Sequence, residues 1–362
     1  MNRKDLLKVL SLGGTAAVSA YVLREYAPWT DYDAEASRAR SRLHSEAATR
    51  VRMEGIIRYA TLAANGHNAQ AWTFALLPDA IEIHPDYSRR LPAVDQADRE
   101  LWIGLGCALE NLLIASRAMG YEASVSYPEV NDFIRIGLSA STPQSSVLFE
   151  AIPARQSTRT EYDSRPIAVT ELGEIEKMSL EPGIGMHQAN LKAVSGYVHQ
   201  ATMQQYADPA FVDELTRWIR FDKKEALSSF DGLYSRCTGN PGVPRWLGKY
   251  FVSRAKPQEV ADADVKKLNS SSGAILISSD SEDKTGWVRA GQVYQRMALT
   301  MTSLNIKSAF LNQPIEVEGV RSQLQSSFGL GTARPQMLVR FGYSNAMPSS
   351  LRRPIEQVMK PA

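Results

Sequence analysis

Two stretches of this 362-residue chain repeat one pattern at a constant spacing, and this repeat constrains the fold more than any other feature. Each copy places an Asp, a Trp and a Gly on successive helical turns and ends with a Gly or Asn before a strand. The first copy consists of Asp98, Trp102, Gly106 and Gly120, and the second of Asp283, Trp287, Gly291 and Asn305. Apolar residues recur at helical spacing through both copies, so each predicts a long amphipathic helix. The fixed register favours an internal duplication over chance similarity between two amphipathic helices.

Segments with alternating apolar residues surround the first predicted helix and are typical of strands. These segments are residues 72–77, 80–84, 122–127 and 133–138, and residues 339–342 echo residues 134–137. A polar turn region over residues 140–154 separates the two halves. We therefore expect an α+β protein of two fused units, residues 31–145 and 146–362, each with a central, mainly antiparallel sheet flanked by helices.

Composition excludes several classes of function. The chain is 44% hydrophobic and 22% charged, with a net charge of +2, which gives no reason to expect a nucleic-acid partner. Its two cysteines and five histidines follow no metal-ligand spacing, so no metal site is expected. Neither a Gly-x-Ser-x-Gly nor a Gly-x-Gly-x-x-Gly motif occurs, which gives little support to a hydrolase or a Rossmann site.

The first 30 residues have the composition of an export signal or a membrane anchor. A basic segment over residues 2–8 precedes residues 9–23, which carry no charge and are shorter than the ~18 residues of a spanning helix. The segment resembles a twin-arginine signal with Arg3-Lys4 in place of two arginines. We expect a periplasmic or inner-membrane-anchored protein whose membrane contact is this leader; a mobile amphipathic helix on a cytoplasmic protein is the alternative.

A polar run with two amide side chains, residues 66–71, leads directly into the first predicted strand. Asn68 and Gln70 each offer one acceptor and two donors, which suits the edge of a planar heterocycle. The alternative is a helix-to-strand turn in which the amides only satisfy backbone groups.

The spaced motifs resemble the nitroreductase family, and more narrowly its Acg-like branch. The resemblance rests on the His-Asn-x-Gln-x-Trp of residues 67–72 and on the segments over residues 86–91 and 98–101. It implies a nitroreductase-like fold with FMN as cofactor. Proteins of this family are usually homodimers with cofactors at the dimer interface, so two fused units could rebuild that interface internally. The resemblance thus implies one flavin per chain, contacted by Asn68 and Gln70, in a chain that can remain monomeric.

The same resemblance assigns a phosphate-binding segment to Arg155, Ser157 and Arg159. Two guanidiniums around a hydroxyl supply forked cationic donors and a neutral donor for a phosphate dianion. A solvated basic loop is the alternative. Arg334, just before the last strand, matches where the family places another cation at the phosphate; a surface Arg at a strand start is the alternative.

The segment Gln313, Pro314, Ile315 and Glu316 resembles the family turn whose backbone N–H faces the flavin N5. Such a donor would stabilise the reduced ring. Val317 stands where the family usually has Gly. Arg220 matches the position of a contact to the flavin pyrimidine; an amphipathic covering helix is the alternative. Residues 231–243 read as a long loop over the cofactor.

These features predict an FMN-dependent oxidoreductase that carries electrons from NAD(P)H through the flavin to a small nitro or quinone acceptor. The flavin supplies the chemistry, so no side chain is expected to be catalytic. Val317 and the long loop leave open a flavin-binding or flavin-storage protein with little turnover. The leader and the two similar halves leave open a solute-binding protein without flavin.

Overall fold

The computed structural model of the chain describes residues 20–21, 24–25, 31–42, 48–128 and 131–360. Most of the predicted leader, residues 1–30, lies outside the described residues, so export or anchoring stays a prediction. Within the described part, α3 (Arg99–Ala118) has the length and apolar composition of a membrane span. Because 83% of that stretch is buried inside the protein, α3 is a core helix.

The first unit contains a four-stranded antiparallel sheet with the spatial order β1-β2-β4-β3. Besides α3, its elements are α1 (Asp31–Ala39), α2 (Thr49–Thr61), β1 (Trp72–Leu76), β2 (Ala80–Pro85), β3 (Tyr121–Ser126) and β4 (Ile134–Ala140). The first two predicted strands pair as an antiparallel hairpin, with Phe74 opposite Ile83. Both of these side chains are fully buried, as strict alternation along a half-buried strand requires.

The second unit contains a four-stranded antiparallel sheet with the order β5-β8-β10-β9. Its first elements are α4 (Val147–Ala151), α5 (Val169–Glu176), β5 (Ile184–Ala189), α6 (Leu191–Ala207), α7 (Pro209–Trp218), β6 (Ile219–Arg220), α8 (Lys223–Ser229) and β7 (Leu233–Tyr234). They are followed by α9 (Arg245–Ser253), α10 (Pro257–Asn269), β8 (Gly273–Ser279), α11 (Lys284–Ser303), β9 (Lys307–Phe310), α12 (Gln313–Glu316), α13 (Glu318–Ser327), β10 (Arg334–Gly342) and α14 (Ile355–Val358).

The two sheets have the same topology. In each, the first and second strands pair, a 20-residue helix follows the second strand, and the fourth strand lies between the second and the third. The predicted α+β architecture with two antiparallel sheets is confirmed. The shared topology agrees with an internal duplication, which remains our interpretation, and the unit boundary at residue 145 remains a prediction.

The two units are joined where α3 crosses α11 at the repeated glycines. A Cβ on Gly106 would lie 2.0 Å from the carbonyl oxygen of Val288, and a Cβ on Gly291 would lie 2.0 Å from that of Ile103. The Cys107 thiol donates to the carbonyl of Gly291 at 3.3 Å. Only glycine permits this reciprocal approach of two backbones. The largest hydrophobic core therefore draws on both units, including Trp72, Trp102, Tyr294 and Val339.

Candidate functional site

A cavity of about 570 Å³ lies between the two units. Its volume falls within the range of roughly 300–1,000 Å³ that is usual for small-molecule and cofactor sites. The first unit contributes polar and small residues to its wall, and the second unit contributes amides, acids and guanidiniums. They include Asn65, Gly66, His67, Glu100 and Gly104 from the first unit, and Arg159, Asn312, Gln313, Glu316 and Arg340 from the second.

The turn after α2 forms one wall of this cavity and is strained. His67, Asn68 and Gln70 all have left-handed backbone conformations, with φ of 48°, 53° and 53°. Such conformations cost roughly 1–3 kcal/mol each for residues other than glycine, and they concentrate at functional sites. Nδ1 of His67 is buried without a hydrogen-bond partner in the described part of the chain, and burial lowers the pKa of its imidazole to about 4. A neutral imidazole therefore faces the cavity at pH 7.

Asn68 lies beside the cavity, but its amide is used within the protein. Its Nδ2 donates to the carbonyls of Gly232 at 3.0 Å and Leu351 at 3.3 Å. Its Oδ1 accepts from Nη1 of Arg352 at 2.9 Å. Asn68 therefore connects the first unit to the segments around residues 232 and 351. These bonds support its role in satisfying groups of the protein and give no support to the predicted contact with the edge of a ring.

Gln70 is fully buried and does not line the cavity. Its Nε2 donates to the carbonyl of Phe230 at 2.9 Å, and its Oε1 accepts from the backbone N–H of Arg353 at 2.8 Å. The predicted flavin contact of Gln70 is therefore corrected to the alternative, in which the amide satisfies backbone groups. Asn65 and His67, which the sequence analysis did not single out as contacts, line the cavity instead.

Arg155 is buried, with 5% of its surface exposed, and its guanidinium is only partly satisfied. Nη2 donates to the carbonyl of Leu62 at 3.1 Å, while Nε and Nη1 have no partner among the described residues. Ser157 and Arg159 line the same narrow crevice, which adjoins the large cavity through shared wall residues. A short parallel bridge between Ser157 and Ser308 on β9 fixes this segment at the crevice.

Arg352 is a third guanidinium in this crevice, and the sequence analysis missed it. Burial and the neighbouring Arg40 and Arg155 lower its pKa well below the usual range. Its donors are directed at backbone carbonyls such as that of Thr61 at 2.7 Å, and at Asn68. Within the described ranges no carboxylate forms an ion pair with Arg155, Arg159 or Arg352. Buried cations without counter-charges indicate a site for an anion.

The segment predicted to lie near the flavin N5 is a helical turn, α12. The N–H groups of Ile315 and Glu316 both donate to the carbonyl of Asn312, at 2.7 and 3.0 Å. These donors are consumed by the turn, and the side chains of Pro314 and Ile315 are buried away from the cavity wall. The N–H groups of Ile315 and Glu316 are therefore not free, and the predicted N5 contact of this segment stays a prediction. Only Gln313 and Glu316 of this segment line the cavity.

Gln313 and Glu316 both line the cavity. Nε2 of Gln313 donates to Asp264 at 2.9 Å, while its Oε1 has no partner in the described residues. Glu316 accepts from Nε2 of Gln205 at 2.5 Å. Burial is the main cause that raises the pKa of Glu316 well above its usual value, and the negative charge of the nearby Glu100 raises it further. The raised pKa disfavours a negative charge on Glu316.

Replacing Glu316 with Gln is expected to flatten the pH dependence of stability. In the unfolded chain this carboxyl titrates near pH 4.3, at about its ordinary pKa. The folded protein holds the proton to higher pH, so its free energy of unfolding falls as pH rises from about 4 through the raised pKa. Urea unfolding of both proteins at a series of pH values measures this, and parallel curves for the two proteins would contradict it.

Two predicted contacts lie away from the cavity. Arg334 forms an ion pair with Glu318 and donates to Gln325 at 2.9 Å. Arg220 forms an ion pair with Asp231 at 2.6 Å. Neither lines the cavity or the crevice, so the predicted phosphate contact of Arg334 and pyrimidine contact of Arg220 are corrected to surface and interloop ion pairs.

The segment predicted to cover the cofactor is partly ordered into β7 and a short 3₁₀ turn over residues 235–238. Leu233 and Asn240 from this segment line the cavity, as predicted for a covering loop. The opposite side is formed by residues before and within α10, including Lys256 and Asp264. Part of the cavity wall is therefore formed by an insertion between β5 and β8 that the first unit lacks.

Comparisons with known proteins find relatives along most of the chain. A Mycobacterium tuberculosis (strain H37Rv) protein named "Putative NAD(P)H nitroreductase Rv3131" is 25% identical over 319 residues, which cover 84% of this chain and 90% of that protein. "Putative NAD(P)H nitroreductase acg" from the same strain is 21% identical over 328 residues, covering 84% and 94%. No protein-family model matches the chain.

Solved structures with some likeness to this chain include two nitroreductases. The FMN-dependent nitroreductase NfnB from Mycobacterium smegmatis in complex with NADPH has 11% identity and a TM-score of 0.40, covering 60% of this chain and 98% of that one. A protein from Anabaena variabilis described as "a putative nitroreductase" has 12% identity and a TM-score of 0.40, covering 80% of this chain and 73% of that one.

Proposed function

We propose that this chain, which belongs to the nitroreductase family, binds FMN between its two units and is an NAD(P)H-dependent flavin oxidoreductase. One observation carries the proposal. Three buried or half-buried guanidiniums, from Arg155, Arg159 and Arg352, face one crevice without a carboxylate partner in the described chain, and that crevice adjoins a cavity large enough for a cofactor. The names of the two Mycobacterium tuberculosis relatives agree with this proposal.

The residues of the crevice and the cavity fit the two ends of FMN. Arg155, Ser157 and Arg159 would hold the phosphate, because forked cationic donors bind a phosphate dianion strongly. Arg352 lines the same crevice, but its donors are bonded to the protein itself. The unpartnered Nε and Nη1 of Arg155 are the donors that such a ligand would satisfy. In the larger cavity, Asn65, His67 and the free Oε1 of Gln313 would be polar neighbours of the ring.

When bound, FMN accepts a hydride from a reduced nicotinamide and passes electrons to an acceptor. The protein's part is to bind, to orient and to limit water. Residues 233–240 and residues of α10 line the cavity, and the neutral His67 adds no charge to its wall. We propose a nitro or quinone compound as the acceptor, because a small planar acceptor suits an enclosed cavity.

A flavin-binding protein with little turnover is the second candidate, and α12 favours it. The N–H groups of Ile315, Glu316 and Val317 all donate to carbonyls of the turn itself. None of these three donors is then free to stabilise a reduced ring, which would slow turnover.

The absorbance spectrum of the purified full-length protein and its response to NADPH or NADH test both candidates. We expect a yellow protein that releases FMN on denaturation and bleaches under anaerobic conditions when a reduced nicotinamide is added. Because the crevice recognises a phosphate, the protein should also bind FMN roughly a hundredfold more tightly than riboflavin. Yellow protein that no nicotinamide bleaches would support the binding protein, and equal affinity for riboflavin would contradict the phosphate site.

A further inference from the structure

Helix α9 exposes three aromatic side chains on one face. Trp246, Tyr250 and Phe251 are 72%, 54% and 59% exposed. The opposite face is fixed to the protein at Gly248, where an added Cβ would lie 2.0 Å from the ring of Phe221. A rigidly held helix that turns three large apolar side chains to solvent is unusual, because a contiguous exposed apolar patch generally marks an interaction site.

The segment that carries these aromatic residues is basic in sequence, although Arg245 is paired with Glu225 and Lys256 with Glu259. Residues 232–258 contain no Asp or Glu, and they contain five cations: Arg236, Arg245, Lys249, Arg254 and Lys256. Lys249 and Arg254 are exposed beside the aromatic face, and the guanidinium of Arg254 lies 5.6 Å from the ring centre of Tyr250. Aromatic residues next to Lys and Arg on one surface helix are typical of helices that lie in the interface of an anionic membrane.

The N-terminal segment enters the described structure on the same side of the molecule. Glu25 is buried and accepts hydrogen bonds from the backbone N–H of Lys223 at 2.9 Å and from the hydroxyl of Tyr234 at 2.6 Å. A Cβ on Gly242, three residues before α9, would lie 2.1 Å from its carboxylate. Glu25, which follows the uncharged stretch of residues 9–23 by two positions in the sequence, therefore lies next to the segment that leads into α9.

We propose that α9 is an interfacial helix that docks the protein on a bilayer containing anionic phospholipid. Trp246, Tyr250 and Phe251 enter the boundary between headgroups and acyl chains, and Lys249 and Arg254 bind the lipid headgroups. Because Glu25 lies beside the segment that leads into α9, a membrane-bound leader is compatible with this docking. A protein partner is the rival occupant, but the absence of acidic residues over residues 232–258 and the adjoining leader favour a lipid surface.

The docking would place the cavity mouth close to the membrane. Ala255 and Lys256, immediately after α9, belong to the cavity wall. A lipid-soluble acceptor, such as a quinone, could then reach the cavity from the bilayer. This consequence rests on the proposed function, whereas the docking itself does not depend on bound flavin and is measured separately from it.

Quenching of tryptophan fluorescence by brominated lipid tests the docking. The full-length protein and a Trp246→Phe variant are mixed with vesicles of brominated phosphatidylcholine, with and without phosphatidylglycerol. We expect the brominated lipid to quench the emission of Trp246, which the parent has and the variant lacks. This quenching should be stronger when phosphatidylglycerol is present. All other tryptophans are common to both proteins, so binding through the leader alone would quench both proteins equally. Equal quenching, or no quenching of either protein, would overturn the proposal.

Sedimentation with vesicles tests the charges. A double variant Lys249→Glu with Arg254→Glu is expected to bind phosphatidylglycerol vesicles at least about fivefold more weakly for each cation removed. A double variant Val147→Ser with Val169→Ser removes two apolar side chains that are exposed elsewhere, and it should bind like the parent. Equal losses in both double variants, or no loss in the first, would reject α9 as the docking element.

Discussion

Replacing Arg155 with Met is expected to weaken FMN binding by roughly a hundredfold while leaving the protein without flavin at least as stable as the parent. The variant removes two guanidinium donors that have no partner in the described structure, and a hydrogen bond to a charged group contributes about 1.5–3 kcal/mol. Burying unpartnered donors costs about 1–3 kcal/mol for each group, which offsets the single bond to the carbonyl of Leu62 that the variant loses. Flavin affinity and stability without flavin therefore change in different directions.

Titration of flavin fluorescence and urea unfolding of the flavin-free protein measure these two quantities. Arg334→Met is the matched control, because Arg334 is paired with Glu318 outside the cavity, and its loss should leave FMN affinity unchanged. An Arg155→Met protein that is destabilised and binds FMN normally would show that Arg155 is a structural residue, and the anion site would then have to be sought at Arg352.

The fold could be predicted because its signals are local and repeat. Alternating strands, helical spacing and the shared register of Trp102 with Trp287 each depend on residues a few positions apart, and they all indicate the same α+β architecture. The sequence could not tell which elements meet across the units. That contact depends on α3 and α11, which are far apart in the chain.

The candidate site was predicted in part, and the failures have a common cause. Arg155, Ser157 and Arg159 alternate along an extended segment, so their common direction can be read from spacing. Asn68 and Gln70 are also two positions apart, but the left-handed conformations of His67, Asn68 and Gln70 change the direction of the chain between α2 and β1. A turn of that kind cannot be recognised from Asn and Gln alone, and it directs Gln70 into the protein while His67 faces the cavity.

Arg352 could not have been found from its neighbours in sequence. It follows the last strand in a segment without regular structure, and it reaches the crevice only because the chain returns to the C-terminal end of α2. Arg334 is the converse case. Its position at a strand start resembles that of a phosphate contact, but its guanidinium forms an ion pair with Glu318 on α13. Ion pairs between elements decide such cases, and spacing along the chain does not reveal them.

Replacing Gly291 with Ala is expected to destabilise the protein by at least about 3 kcal/mol. The added Cβ would lie 2.0 Å from the carbonyl oxygen of Ile103, and backbone cannot move aside as a flexible side chain can. The crossing of α3 and α11 must open, and with it the core that both units share. Since the cavity is formed between the units, FMN affinity should fall together with the free energy of unfolding.

Gly196→Ala provides the matched control, because Gly196 lies within α6 and an added Cβ there meets no atom within 4 Å. That change should stabilise the protein by up to about 1 kcal/mol, since Ala favours a helix over Gly. Urea unfolding and FMN titration of both variants separate the effect of the added methyl group from the effect of its position. If Gly291→Ala were as well tolerated as Gly196→Ala, the helix crossing could not be what joins the units, and a cavity that depends on their contact would lose its physical basis.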